Sequence, residues 1–394
     1  MEIWIFEKRM VLAMNLTHDS LKPVCVTRPA EWNAPETRTF QGIPGIEKLP
    51  SGRLFATWYT GGNSECRENY AVLAFSDDDG LTWNQIPAVI DPPDSDVRAF
   101  DPTLWLAPTG KLYWFWAQGC GGSDSDPACI AKVFDGLAGV WFVIIENPDD
   151  PPQTIRFSEP KRISNGVMLN KPTVLRNGEW AFPCSLWSME TPYRDFHKKL
   201  DPVYGAMMIV SSDEGKTFVH RGTIDILSAG TRPDFDEHQF LQKKDGTIEC
   251  FIRSIDGIRH SRSEDNGATW SVPAVRETFS ISTRFFVSRL QSGRVLLITN
   301  NGGRVRKNLT AFLSEDDGET WTRQLLLDER EVVSYPDCIQ DRDGNLYISY
   351  DYNRYQGGFL YLTRITEEDI LTGKAGENSF FRREIGRSRP VLKA

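Results

Sequence analysis

The octapeptide SEDNGATW at residues 263–270 returns as SEDDGETW at 314–321, 51 residues later. Two further copies, SDDDGLTW from Ser76 and SSDEGKTF from Ser211, complete a series with the pattern S-x-D-x-G-x-T-[W/F]. The last three copies start 52 and 51 residues apart, close to the length of one four-stranded propeller blade. The first gap of 135 residues leaves room for an unmarked blade or two, so one repeat is expected to be degenerate or to lack its box. Ser and Asp side chains hydrogen-bond nearby backbone amides, Gly permits a positive φ, and Thr and Trp resume an extended strand. Each box is therefore a hairpin turn with an aromatic anchor. It locates a blade and carries no chemistry.

A second rhythm runs through turn-then-strand segments: PSGRLFATWY, PTGKLYWFWA, RNGEWAFPCS, KDGTIECFIR, QSGRVLLITN and RDGNLYISYD. Six of these fit one per blade of a six-membered ring. Helical periodicity is nearly absent outside TEEDILTG near the C-terminus. An all-β, six-bladed β-propeller is expected, because a closed ring hides the sheet edges that a row of four-stranded units would expose. No linker divides the chain. Residues 1–394 are read as one domain, with the propeller over about 35–390 and residues 1–34 as an N-terminal extension packing on or closing the ring. SDSDPACIAKVFDG and YRDFHKKLDP read as inter-strand insertions rimming the pocket face.

A formal charge of −9 argues against nucleic acid, which is gripped by clustered Lys and Arg. The seven cysteines (Cys25, Cys66, Cys120, Cys129, Cys184, Cys250 and Cys338) are scattered, odd in number and without a CxxC pair. They read as reduced, mostly core residues rather than zinc ligands or a disulfide framework. No metal or other cofactor is expected. The N-terminus has Glu2 where a secretory leader carries positive charge, and Glu7, Lys8 and Arg9 interrupt its apolar run. Nothing approaches the roughly 20 apolar residues that span a bilayer. A cytoplasmic protein with a carbohydrate partner is the expectation; the oligomeric state is not legible.

Over nearly its whole length the chain resembles the exo-sialidase (neuraminidase) superfamily of BNR or Asp-box proteins. Four boxes in series carry the resemblance, with three stretches of the second half. In DEHQFLQKKDGTIECFIRS the family pattern of a Glu opening a strand and an Arg ending the next is filled by Glu237 and Arg253. In RVRKNLTAFLSEDDGETW, Arg306 precedes the N-L-T strand, and in VVSYPDCIQ, Tyr335 takes the place of the family's Tyr. The resemblance implies an exo-glycosidase with Tyr335 as nucleophile, Glu237 as its base, and Arg253 and Arg306 on a substrate carboxylate. A neutral phenol suits a sugar that carries its own carboxylate at the anomeric carbon, where an Asp or Glu nucleophile would be repelled. With an ordinary pKa of about 10, the phenol needs a neighbouring carboxylate to take its proton.

The resemblance fails at two places. FQGIPGIEKLP has Gly42 where the family's F-R-I-P segment supplies a third clamping Arg, and Arg98 in DVRAFDPTLW is the candidate replacement. The usual Asp general acid also has no clear counterpart. Glu65 and Glu68 stand at about the right place, with Glu65 preferred, while Asp101 and His238 are lesser candidates for acid or hydroxyl-binding roles. These departures widen the substrate to another ulosonic acid, a uronic acid or a neutral sugar. They also leave open a non-catalytic glycan-binding propeller, with Trp105, Trp187 and Tyr350 stacking on a ring, and a polysaccharide lyase on the same fold.

Overall fold

Runs such as LFATWYT and YAVLAFS lack polar alternation, the pattern of strands covered on both faces. In the computed structural model, which describes residues 19–93, 96–120, 138–187, 205–230, 235–275 and 279–389, those runs are the fully buried middle strands of one sheet. Six four-stranded antiparallel sheets follow one another along the chain, each in simple up-and-down order. Blade one consists of Gln41–Lys48, Leu54–Thr60, Tyr70–Ser76 and Asn84–Ile90; blade two of Val97–Leu106, Leu112–Cys120, Gly139–Ile145 and Lys161–Asn165. Blade three comprises Thr173–Val174, Trp180–Leu186, Gly205–Ser211 and Val219–Ile224; blade four Gln239–Gln242, Ile248–Ser254, Gly257–Ser263 and Ala274–Val275. Blade five is Phe286–Arg289, Val295–Asn300, Lys307–Ser314 and Arg323–Glu331; blade six Val333–Gln340, Asn345–Tyr352, Phe359–Thr366 and Phe380–Gly386. The six-bladed propeller read from the sequence is the observed fold.

The six turn-then-strand segments mark the first hairpin of every blade, and their glycines Gly52, Gly110, Gly178, Gly246, Gly293 and Gly344 all have positive φ. The boxes form the third-to-fourth-strand turns of blades one, three, four and five. Two blades lack a box, not one. Blade two lies within the long gap, and blade six replaces its box with a helix, α1 (Glu367–Thr372), whose Thr366 caps the backbone of Asp369. Within each box Ser and Asp bond as anticipated: Ser263 Oγ donates to Asp265 (2.8 Å) and accepts from Gly267 N (2.8 Å), while Thr269 Oγ1 donates to Asp265 (2.6 Å). The box glycine also meets the preceding blade. A Cβ on Gly267 would fall 2.0 Å from Met208 Sδ of blade three, and one on Gly80 would fall 2.4 Å from Leu362 of blade six.

Apolar clusters fill all six interfaces, which is what closes the ring. Phe55 and Leu73 of blade one pack with Leu104 and Trp114 of blade two. The last interface joins Tyr347, Leu360 and Leu362 of blade six to Leu54, Trp58 and Val72 of blade one. Among the described residues no strand is exchanged between chain ends. Instead the segment after blade six returns to blade one, where Arg389 N donates to Arg38 O (2.8 Å). On the axis, Lys171 Nζ donates to the carbonyls of Ile46 and Leu104 (both 2.6 Å) and lies 3.2 Å from Asp337, which in turn accepts from Ile46 N (2.9 Å). The backbone of residues 24–33 runs along the outside of blade one, with a bridge between Thr27 and Val89. SDSDPACIAKVFDG and YRDFHKKLDP lie outside the described residues, as do Cys129 and residues 1–18. The other six cysteines are free thiols, four of them buried, while Cys25 is exposed and Cys66 half-buried. Among the described residues no cluster of His, Cys, Asp and Glu fits a metal, and no helix is long and apolar enough to cross a membrane.

Candidate active site

Three innermost strands share a bulge that sets the pocket. Their register breaks at Gly42/Gly45, Phe100/Thr103 and Ser334/Asp337. At each break a residue followed by proline adopts left-handed backbone: Ile43 (φ 57°), Asp101 (φ 48°) and Tyr335 (φ 56°). A residue before proline is steered to extended backbone, and positive φ is strained for branched or bulky side chains, by roughly 1–3 kcal/mol. The bulges belong to adjacent blades six, one and two. They turn Tyr335 and Asp101 out of the alternation of their strands.

Tyr335, only 6 % exposed, lies in an apolar floor with Phe40, Ile43, Tyr59, Phe100 and Leu169, flanked by the half-buried Trp187. Its hydroxyl donates to Glu237 Oε1 (3.0 Å) and accepts from Arg253 Nη1 (3.2 Å), and Arg253 Nη1 also meets Glu237 Oε1 at 2.8 Å. Arg306 faces the Tyr335 ring at 5.4 Å and forms no ion pair among the described residues. Burial, then the Glu237 charge, pushes the phenol up from its ordinary value, against the pull of Arg253, Arg354 and Arg306. The four residues carried over from the resemblance, contributed by blades four, five and six, thus meet at one mouth of the ring.

The acid candidates separate by charge state. Burial raises the Asp101 carboxyl to about 7, Arg98 pulling it down and Glu65 and Glu237 pushing it further up. At Glu65 burial also pushes up, but Arg354, Arg98 and the Tyr355 hydroxyl outweigh it and leave the carboxyl lowered. Near neutral pH Asp101 is therefore still partly protonated while Glu65 is ionised, the reverse of the order expected from sequence. Glu68 pairs with Arg67 at the surface (3.0 Å).

Other expectations are corrected. Arg98 stands beside the acid candidates, its charge acting on Asp101 and Glu65, while its guanidinium donates to Asn69 (2.9 Å) and stacks on Phe100 (4.1 Å). His238 is buried with its ring nitrogens 3.0 Å from Asp236 O and 2.9 Å from Met207 O, so it braces blade four against blade three and offers no group to a ligand. Trp105 and Tyr350 are core residues, Trp105 packed edge-on against Trp180 at 4.8 Å and Tyr350 fully buried. Sequence reasoning missed Arg354, in the loop before the third strand of blade six, which stacks 4.3 Å from the Tyr335 ring centre. A roomy cavity of about 460 Å³ opens at the opposite mouth, lined by Lys171, Gln239, Gln242, Arg289 and Gln340, and holds none of the Tyr335 set.

The profile of the BNR repeat-like domain matches residues 52–348. No curated protein matches the chain. Among solved structures, the Hadza microbial sialidase Hz136 superposes with a TM-score of 0.64 at 17% identity, over 84% of this chain and 66% of that one. The intramolecular trans-sialidase from Ruminococcus gnavus gives 0.62 at 15% identity, over 84% and 95%. The leech intramolecular trans-sialidase gives 0.63 at 14% identity, over 89% and 71%. At such identities the likeness is one of fold.

Proposed function

The chain belongs to the BNR repeat-like domain family, and on that footing we propose that it is a retaining exo-glycoside hydrolase that removes a terminal acidic sugar with Tyr335 as nucleophile. One observation carries the reading: the buried Tyr335 hydroxyl already donates to Glu237 at 3.0 Å, with Arg253 bridging both oxygens. A phenol held above its ordinary pKa is a poor nucleophile unless its proton has somewhere to go. As Tyr335 Oη bonds to the anomeric carbon, its proton passes to Glu237, and Arg253 stabilises the charge spread between the two oxygens. The glycosidic oxygen leaves with a proton from Asp101, whose carboxyl burial raises to about 7, in preference to Glu65, which is lowered. Water then attacks the anomeric carbon from the vacated side, gives a proton to Asp101, and Tyr335 departs by recovering its proton from Glu237. Two displacements retain the configuration.

The acidic sugar is supported by Arg253 and Arg306, with guanidinium groups that bind carboxylates in paired, charge-assisted hydrogen bonds. The test is turnover of a panel of aryl glycosides, sialosides and uronides included, by the wild type and Tyr335→Phe. The variant is expected to lose at least a thousandfold in kcat. Undiminished turnover eliminates the mechanism, and a panel that binds without hydrolysis favours a glycan-binding propeller.

A further inference from the structure

Gly42 is where the first inner strand departs from an expected arginine, and the structure shows what fills the space. A Cβ built on Gly42 would stand 3.0 Å from Arg354 Cδ, 3.2 Å from Arg354 Cβ and 3.1 Å from Asp351 Oδ2. Position 42 has φ outside the left-handed region, so backbone conformation does not demand glycine here. The demand comes from Arg354. Its side chain, 7 % exposed, crosses the volume a residue at 42 would occupy and brings its guanidinium over the Tyr335 ring.

The partners of Arg354 differ in kind. Asp351 is committed elsewhere, accepting from Ile43 N (3.1 Å) and Ser334 Oγ (2.8 Å), and its distance of 3.7 Å from Arg354 Nε exceeds a hydrogen bond. Glu65 is the closer carboxylate, 3.3 Å from Arg354 Nη1 and 3.0 Å from the Tyr355 hydroxyl. It belongs to the loop between the second and third strands of blade one and keeps 39 % of its side chain in solvent. A buried guanidinium beside the phenol is thus neutralised by two carboxylates: the buried Asp351 acts through its charge, and Glu65 from an exposed loop holds it by hydrogen bond. With Arg253 and Arg306, three guanidinium groups from three blades surround one phenol.

We propose that Arg354 is a ligand for the substrate's carboxylate, seated in the volume that Gly42 leaves open, and that Glu65 is a placeholder carboxylate which the substrate displaces. The inference rests on the glycosidase reading for its ligand class, a sugar acid, and replaces Arg98 as the group that makes good the absent arginine. Gly42 and Arg354 are then a coupled pair, separated by most of the chain and adjacent across the closure between blades one and six.

The experiment measures binding of free sialic acid and glucuronic acid, each beside its neutral carboxamide, by calorimetry on the full chain, with KM and kcat for the matching aryl glycosides. The variants are Arg354→Ala, Gly42→Arg, Gly42→Arg/Arg354→Ala and Glu65→Gln. A charge-assisted hydrogen bond is worth roughly 1.5–3 kcal/mol, so Arg354→Ala is expected to weaken the preferred acid about 10–150-fold and raise KM similarly, with little effect on its carboxamide. Gly42→Arg alone is expected to lose binding through the collision with Arg354, and the double variant to regain acid selectivity. Glu65→Gln, which weakens the competitor, is expected to tighten the acid several-fold. Equal losses on acid and carboxamide, unchanged acid affinity in Arg354→Ala, weaker acid binding in Glu65→Gln, or no acid binding by the wild type would each overturn the proposal. An inactive Tyr335→Phe together with an acid-indifferent Arg354→Ala rejects this inference alone; an unimpaired Tyr335→Phe rejects the glycosidase reading first.

Discussion

Asp101→Asn removes one titrating group while preserving side-chain shape, and Asn tolerates the left-handed backbone that Asp101 occupies at φ 48°. Burial holds this carboxyl at about 7 in the folded chain, against an ordinary 3.8. The folded protein therefore binds the proton more tightly than the unfolded chain does. Stability from this site is highest below about pH 4, falls as pH rises towards 7, and carries its full cost above that. At 1.36 kcal/mol per pKa unit the change across the window is roughly 4 kcal/mol, or about 5 °C in melting temperature for a chain of this size. Melts of wild type and Asp101→Asn at half-unit steps from pH 4 to 9 read it directly. The variant is expected to gain on the wild type progressively across that window and then run parallel to it. Curves parallel throughout refute the protonated, buried carboxyl. A proton donor at this position also ties activity to the same range: turnover of glycosides with poor leaving groups is expected to fall above about pH 7, while activated aryl glycosides hold up better in Asp101→Asn.

Lys171→Met leaves Glu47 buried on the axis without its cation and Asp337, among the described residues, with only Arg284, at 3.7 Å, and is expected to cost roughly 3–5 kcal/mol in urea unfolding; a neutral result contradicts the axial network as a brace. Gly267→Ala combines a φ of 89° with a Cβ 2.0 Å from Met208 Sδ, so a loss of roughly 1–3 kcal/mol or more is expected, and an unaltered melting temperature would refute the box glycine as a blade-to-blade contact. Hydrogen bonds from Thr269, then Ser263, lower the Asp265 carboxyl to about 2, so the stability it adds is present above about pH 4 and disappears as pH falls through 2. Asp265→Asn is accordingly expected to melt with a flatter dependence between pH 4 and 2 than the wild type, and an identical slope would contradict it.

The ring was legible because its turns are local. A box or a Gly turn needs only the chemistry of a few neighbouring residues, so six blades could be read without knowing how they pack. The missing second box shows the limit: blade six uses α1 in its place, and no octapeptide survives to mark it. Tyr335, Glu237, Arg253 and Arg306 were reached through motif resemblance, and their convergence follows from the ring. Part of the pocket did leave a trace in the sequence. Pro44, Pro102 and Pro336 each stand eight residues before a turn glycine, Gly52, Gly110 and Gly344, and mark the three bulges that aim Ile43, Asp101 and Tyr335. Aromatic residues misled for a physical reason. In blades covered on both faces every strand side is interior, so Trp105 and Tyr350 pack between sheets instead of lining the pocket. Arg354 has no local signature at all, since its place depends on the space beside Gly42 at the other end of the chain.

The most direct measurement is peptide mass spectrometry after inactivation with a fluorinated glycosyl fluoride of the preferred sugar acid, in which fluorine slows release of the covalent intermediate more than its formation. One glycosyl adduct on the peptide bearing Tyr335, lost on longer incubation as activity returns and absent from Tyr335→Phe, is the expected result. An adduct on Glu237, Asp101 or Glu65 instead, or turnover by inversion with no adduct, would contradict a phenol nucleophile at the mouth of this ring.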